Sequence, residues 1–346
     1  RGVTSFVLIV SVALGCSSSD GEGGTAPPGP EPRYRAIREA TPMPRMTSDE
    51  LGIEPFVGEA VVESPLLPID VPAHPFLDNG GDSRVHNDHY NSAAYNRSGP
   101  VGPEIDITTH LLGTLSGVCA MMAILDDGYV VGSCLVANGV EGIRVMLTMF
   151  DNENLDIVAE RDLGFRPFVP NSGGGAYFSL DDEKRIIIGP AINRLERYRI
   201  EIVDGSPMFE QDYSVEIPGL APAMATTDPM LQDSVLDYEG RVWFMVNDGR
   251  VGYYDHDADR IEMIDLEREL ENSMVVDDRG IYLVTVGAVA RLSADSEGEV
   301  RVDWESDYDI GSGSGLLAGS GSSPTLLGKR DDLFSFADNA DGQVNL

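Results

Sequence analysis

Basic side chains are scarce in this chain. Lys and Arg together number 24 against 58 Asp and Glu, for a formal net charge of −34, and Lys184 and Lys329 are the only lysines. Such a surface repels a phosphate backbone and argues against nucleic-acid binding. Spread acid suits solubility in salt, and a cationic or Ca²⁺-rich partner is the other reading of it. Cysteine is nearly absent, with 3 in 346 residues, which excludes a disulfide-dense mini-scaffold. Neither a Cys-x-x-Cys pair nor a His-Glu-x-x-His helix occurs. A Gly-x-Ser-x-Gly elbow is missing too, and the Gly/Ser stretch from Gly311 to Ser323 runs into no Gly-Lys-Ser/Thr phosphate loop.

Long apolar runs are also missing. The longest opens the chain, from Val3 to Leu14, and is too short for a bilayer span yet right for the core of an export signal. It ends in Ala13-Leu14-Gly15-Cys16, which resembles the lipobox of bacterial lipoproteins. That resemblance makes residues 1–16 a lipoprotein signal region and implies cleavage before Cys16, acylation of Cys16 as the new N-terminus, and attachment to an envelope membrane. An ordinary secretory signal cut nearby is the alternative. Residues 17–45 are rich in Ser, Gly and Pro and read as a flexible tether. Residues 46–111 carry many prolines and few periodic runs, and are expected to form an extended lead-in with the first strands.

From residue 112 onward the texture is that of short strands closed by acidic turns. Ala123–Gly128, Phe178–Glu183, Val235–Gly240 and Val275–Gly280 share one outline, an apolar pair, an acidic turn and a fresh strand. Their spacing of roughly 40 to 55 residues is that of one four-stranded propeller blade. The third and fourth copies continue alike, Val242–Val246 into Gly252–Asp255 and Ile281–Val286 into Ala288–Leu292. These repeats resemble the broad superfamily of bacterial β-propellers that includes quinoprotein-like, WD40-like and gluconolactonase-like proteins. The resemblance implies an all-β propeller over residues 112–346, with six or more blades and a chain that continues beyond Leu346; a β-sandwich with a second domain is the alternative. With only Trp243 and Trp304 present, the tryptophan-rich docking repeats of quinoproteins are missing.

Candidate chemistry is sparse. Four of five histidines, His74, His86, His89 and His110, fall within one short stretch, and His86-Asn87-Asp88-His89 sets two imidazoles beside a carboxylate. His86, Asp88, His89 and His110 are therefore a candidate site for a divalent metal ion, whose bound water would serve a hydrolase or lactonase-like reaction. Loop residues bonding their own backbone are the plainer reading. Asp255, Asp257 and Asp259 alternate as in a calcium loop but lack its Gly and distant Glu, so a hairpin turn between outer blade strands explains them better. Cys119 and Cys134 stand almost equidistant from one tight turn and are expected to pair as a disulfide if register allows. The expected function is a lipid-anchored binding or scaffolding propeller at the periplasmic or cell-surface face of the envelope. Its partner would be a protein, glycan or small molecule.

Overall fold

The computed structural model describes residues 71–95, 112, 117–125, 127–137, 142–166, 174–190, 193–221, 228–311, 319–320, 322–327, 333–341 and 346. The proposed signal segment, Cys16, the tether and His110 lie outside them. Among the described residues there is no helix. The chain forms a succession of antiparallel sheets, each a simple meander in which every strand pairs with its sequence neighbour.

The first sheet comprises β1 (Gly117–Ile124), β2 (Tyr129–Ala137), β3 (Ile143–Asp151) and β4 (Ile157–Arg166). The second comprises β5 (Phe178–Leu180), β6 (Ile186–Ile188), β7 (Arg194–Val203) and β8 (Ser206–Glu216). The third holds β9 (Leu231–Leu236), β10 (Val242–Val246), β11 (Arg250–Asp255) and β12 (Arg260–Asp265). The fourth holds β13 (Val275–Asp277), β14 (Gly280–Thr285), β15 (Ala288–Ala294) and β16 (Val300–Asp307). A fifth unit shows two strands, β17 (Thr325–Leu327) and β18 (Leu333–Ser335). Among the opening strands, β9 lies against both β5 and β13, while the closing strands meet as β4 with β8 and β12 with β16. Four-stranded meanders stacked with their first strands innermost make a β-propeller.

Burial tracks position in the blade. Every residue of β5, β6, β9, β10 and β13 is buried; β6 and β10 are continuous apolar runs, as in Val242-Trp243-Phe244-Met245-Val246, while β9 buries Gln232, Asp233 and Ser234 among its apolar residues. The outermost strands β12 and β16 are half-buried to exposed and carry charges. A blade cannot bury both faces alone, and the core accordingly lies between blades. One cluster joins the first two through Leu147, Met149, Phe178 and Ile186. Another joins the second, third and fourth through Leu195, Trp243, Val276 and Ile281. Tyr282, Val275 and Leu326 seat the fifth unit on the fourth.

The four repeated acidic turns all occupy the same place, between the innermost strand of a blade and the next. Their first carboxylate faces inward where it is described. Asp237 accepts the N–H groups of Glu239 (3.0 Å) and Arg241 (2.9 Å), the Arg241 Nε (2.7 Å) and the Trp243 indole N–H (2.7 Å). Asp181 does the same for the N–H groups of Glu183 and Arg185 and for the Arg185 guanidinium. Asp277 accepts from the Arg279 backbone and guanidinium and from the Tyr282 hydroxyl. Buried carboxylates persist because each is paired and its lone pairs are filled.

Candidate functional site

The segment from His74 to Tyr95, expected as a lead-in, crosses the inner strands of the propeller. It contains isolated bridges, Leu77 to Asp181 and Arg84 to Asn87, but no ladder strand. Its contacts reach several blades in turn. The Asp82 carboxylate accepts the Ile124 N–H at 3.0 Å in the first blade. Asp78 N–H donates to Leu180 O and Leu180 N–H donates to Ser83 O in the second. Val276 N–H donates to His89 O in the fourth, and Leu326 N–H donates to Tyr90 O in the fifth.

Arg84 sits at the centre of this path, and its side chain and that of Asp233 are both fully excluded from solvent. Its guanidinium donates to Asp233 Oδ2 at 2.6 Å, to Ser234 O at 3.0 Å, to Met274 O at 3.1 Å and to Ser179 Oγ at 3.4 Å. Asp233 also accepts the N–H groups of Met274 (2.9 Å) and Ser234 (2.8 Å). One cation thus ties together strands of the second and third blades and the entry to the fourth. To make these turns the segment adopts left-handed backbone at Asp82, His86, Asn87, Asn91 and Ala93, a conformation that costs energy at non-glycine residues.

The structure sends the histidine cluster in three directions. His86 is exposed, with a φ of 64°. Asp88 is spent on its own loop, where Oδ1 accepts the N–H groups of Tyr90 (2.9 Å) and Ser92 (3.2 Å) and the other oxygen accepts the Ser92 hydroxyl. His89 is buried, with Nε2 3.1 Å from the Tyr238 hydroxyl and its ring 4.9 Å from that of His74. Burial, reinforced by nearby Arg84, holds both His74 and His89 neutral down to about pH 3. Among the described residues no group of three His, Cys, Asp or Glu side chains is placed to hold a metal ion. The physical reason is local: left-handed backbone at the consecutive residues His86 and Asn87 turns the chain between the two imidazoles, and the Asp88 carboxylate is taken by backbone donors of its own loop. His110 lies outside the described residues.

The other candidates are turn and strand residues. Asp255–Asp259 connects β11 to β12; Asp255 Oδ1 accepts the N–H groups of Asp257 and Ala258, both at 3.0 Å, and Asp259 Oδ1 accepts the Tyr254 hydroxyl at 3.3 Å. Two of the three carboxylates are thereby committed to closing the hairpin. Cys119 and Cys134 are direct partners in the β1–β2 ladder and are joined by a disulfide.

Sequence reasoning passed over a cleft at the rim, between the first and second blades. It has a volume of about 510 Å³ and is lined by Arg144, Arg161 and Asp162 from the first blade and Arg194, Glu196 and Tyr198 from the second. Three arginines on separate strands leave no contiguous motif, and only their scarcity could have flagged them.

No protein-family model matches the chain, and no curated protein matches it. Solved structures overlap it in part. A protein from Lactobacillus plantarum aligns at 13% identity and a TM-score of 0.36, over 54% of this chain and 55% of that one. This chain therefore spans about half the length of that protein. BamB from Moraxella catarrhalis aligns at 12% identity and a TM-score of 0.33, over 60% and 76% of the two chains. The Cps50 (Swd1) β-propeller domain of Myceliophteria thermophila aligns at 8% and 0.35, over 66% and 82%. The fold assignment rests on the sheet order and burial of this chain, and these partial overlaps carry nothing further.

Proposed function

We propose that the chain is an exported, lipid-anchored β-propeller that acts as a binding or scaffolding module at the cell envelope. The observation that carries the binding role is how the His74–Tyr95 segment and the inner strand β9 that it meets spend their polar groups. Arg84, Asp88, His89 and Asp233 all bond to the fold itself, and the buried imidazoles stay neutral through the physiological range. Groups so committed hold blades together. Surfaces between and around the blades are left to meet a ligand, as in propellers generally, where one scaffold hosts many unrelated activities.

Export is supported by the Val3–Cys16 segment and fits the Cys119–Cys134 disulfide, which persists in an oxidising compartment. The test is fatty-acid labelling and membrane fractionation of the full chain and of Cys16→Ser, together with metal analysis of the purified protein. Label and membrane retention that vanish in Cys16→Ser, with no stoichiometric metal, are expected. A soluble, unlabelled wild type would overturn the anchor. Stoichiometric divalent metal lost in a His86→Ala/His89→Ala variant would overturn the binding role in favour of a metal-dependent hydrolase.

A further inference from the structure

We infer that the cleft between the first and second blades binds an oxyanion, a carboxylate or phosphate group carried on a small ligand. The inference deepens the binding-module reading and rests on it. Its starting point is charge. In a chain of net charge −34, an anion gains nothing from the overall field, so any anion site must be built locally. Three arginines from β3, β4 and β7 meet in this cleft, accompanied by two carboxylates.

The carboxylates do not use up the cations. Arg144 pairs with Asp162 across the β3–β4 ladder, both roughly half exposed. Glu196 is buried, and its two oxygens accept the Tyr198 hydroxyl (2.7 Å) and the Ser214 hydroxyl (3.1 Å). The nearest approach of Arg194 to Glu196 is 3.6 Å from Nε, and that buried Nε has no hydrogen-bond partner. Arg161 lies with its guanidinium carbon 5.6 Å from the centroid of the Tyr198 ring, which holds it over an aromatic surface. Arg161 and Arg194 thus present donors to one space whose three arginines exceed its two lining carboxylates by one charge.

Guanidinium forks match the paired oxygens of a carboxylate or phosphate, and charge-assisted bonds of this kind are the strong ones. Tyr198 adds no negative charge, because burial and its bond to Glu196 raise its pKa and keep it a phenol. The site also joins two blades, so an anion held between Arg161 and Arg194 would bridge β4 and β7.

Isothermal titration of the full chain at low salt with galacturonate, glucose 6-phosphate, galactose and glucose tests this. Saturable binding of one or both charged sugars, with neither neutral sugar bound, is expected. The charged sugar that binds identifies the carboxylate or the phosphate as the source. Arg161→Gln/Arg194→Gln should weaken that binding at least tenfold and Arg161→Lys should retain part of it, while the remote Arg250→Gln leaves it unchanged. No binding of either charged sugar to the wild type would overturn the inference, as would equal binding by the double variant. Either failure would leave acylation at Cys16 untouched, so the anchor and the anion site fail separately.

Discussion

At the scale of single residues, the molecule is marked by titratable groups that are buried and kept in one state. His74 and His89 lie ring against ring beside Tyr238, with Arg84 close enough to disfavour their protonation. In the unfolded chain each takes up a proton near pH 6.5, whereas in the fold each resists to about pH 3. Their folded pKa values are depressed, so the stability they permit is complete above pH 6.5 and is lost as pH falls toward 3. Each contributes a slope of about 1.4 kcal/mol per pH unit within that window. Urea midpoints measured from about pH 7 to about pH 4.5 should fall more steeply for the wild type than for His89→Phe. Equal slopes would show that the imidazole is not held neutral by the fold.

At the scale of elements, the hairpin is the recurring unit, and its first turn is fastened by an inward Asp with an Arg four or two residues on, as in Asp237–Arg241 and Asp277–Arg279. The β1–β2 hairpin has a covalent fastening instead. Counting back from the pair Ile124–Val130 without interruption would set Cys119 opposite Leu135. An irregularity between Cys119 and Met121 shifts the register by one and sets it opposite Cys134. The bond closes a loop with a sequence separation of 15, for which constraint of the unfolded chain is worth about 3 kcal/mol. Cys119→Ala/Cys134→Ala should therefore unfold at a lower urea concentration by an amount equivalent to about 3 kcal/mol. No loss would mean that strand pairing alone holds the hairpin.

At the scale of the whole molecule, the segment from His74 to Tyr95 converts a row of sheets into one body. Blades touch their neighbours through apolar faces, but Arg84 reaches residues 149, 150 and 190 positions away in the chain. Replacing one partner of a buried pair leaves the other charge uncompensated, which costs about 3–5 kcal/mol. Arg84→Met is expected to lose stability of that order in urea unfolding, with Asp233 left buried. A change below about 1 kcal/mol would show that the blades cohere without the Arg84 tie.

By itself the sequence determined the strand-rich class, the blade repeat, and the position of each acidic turn between one strand and the next. Those features are legible because a turn such as Asp237–Gly240 and a run such as Val242–Val246 follow from chemistry within a few residues. Only the tertiary structure decided the rest. Cys119 meets Cys134 through a one-residue slip that strand patterning does not specify. Asp88 and His89, adjacent in sequence, part company because left-handed turns aim one at its own loop and the other at Tyr238. Arg84 and Asp233, or Arg161 and Arg194, come together from distant strands. Such pairings are set by how blades stack, because the free energy of burying a charge or opening a cleft depends on neighbours that local sequence does not contain.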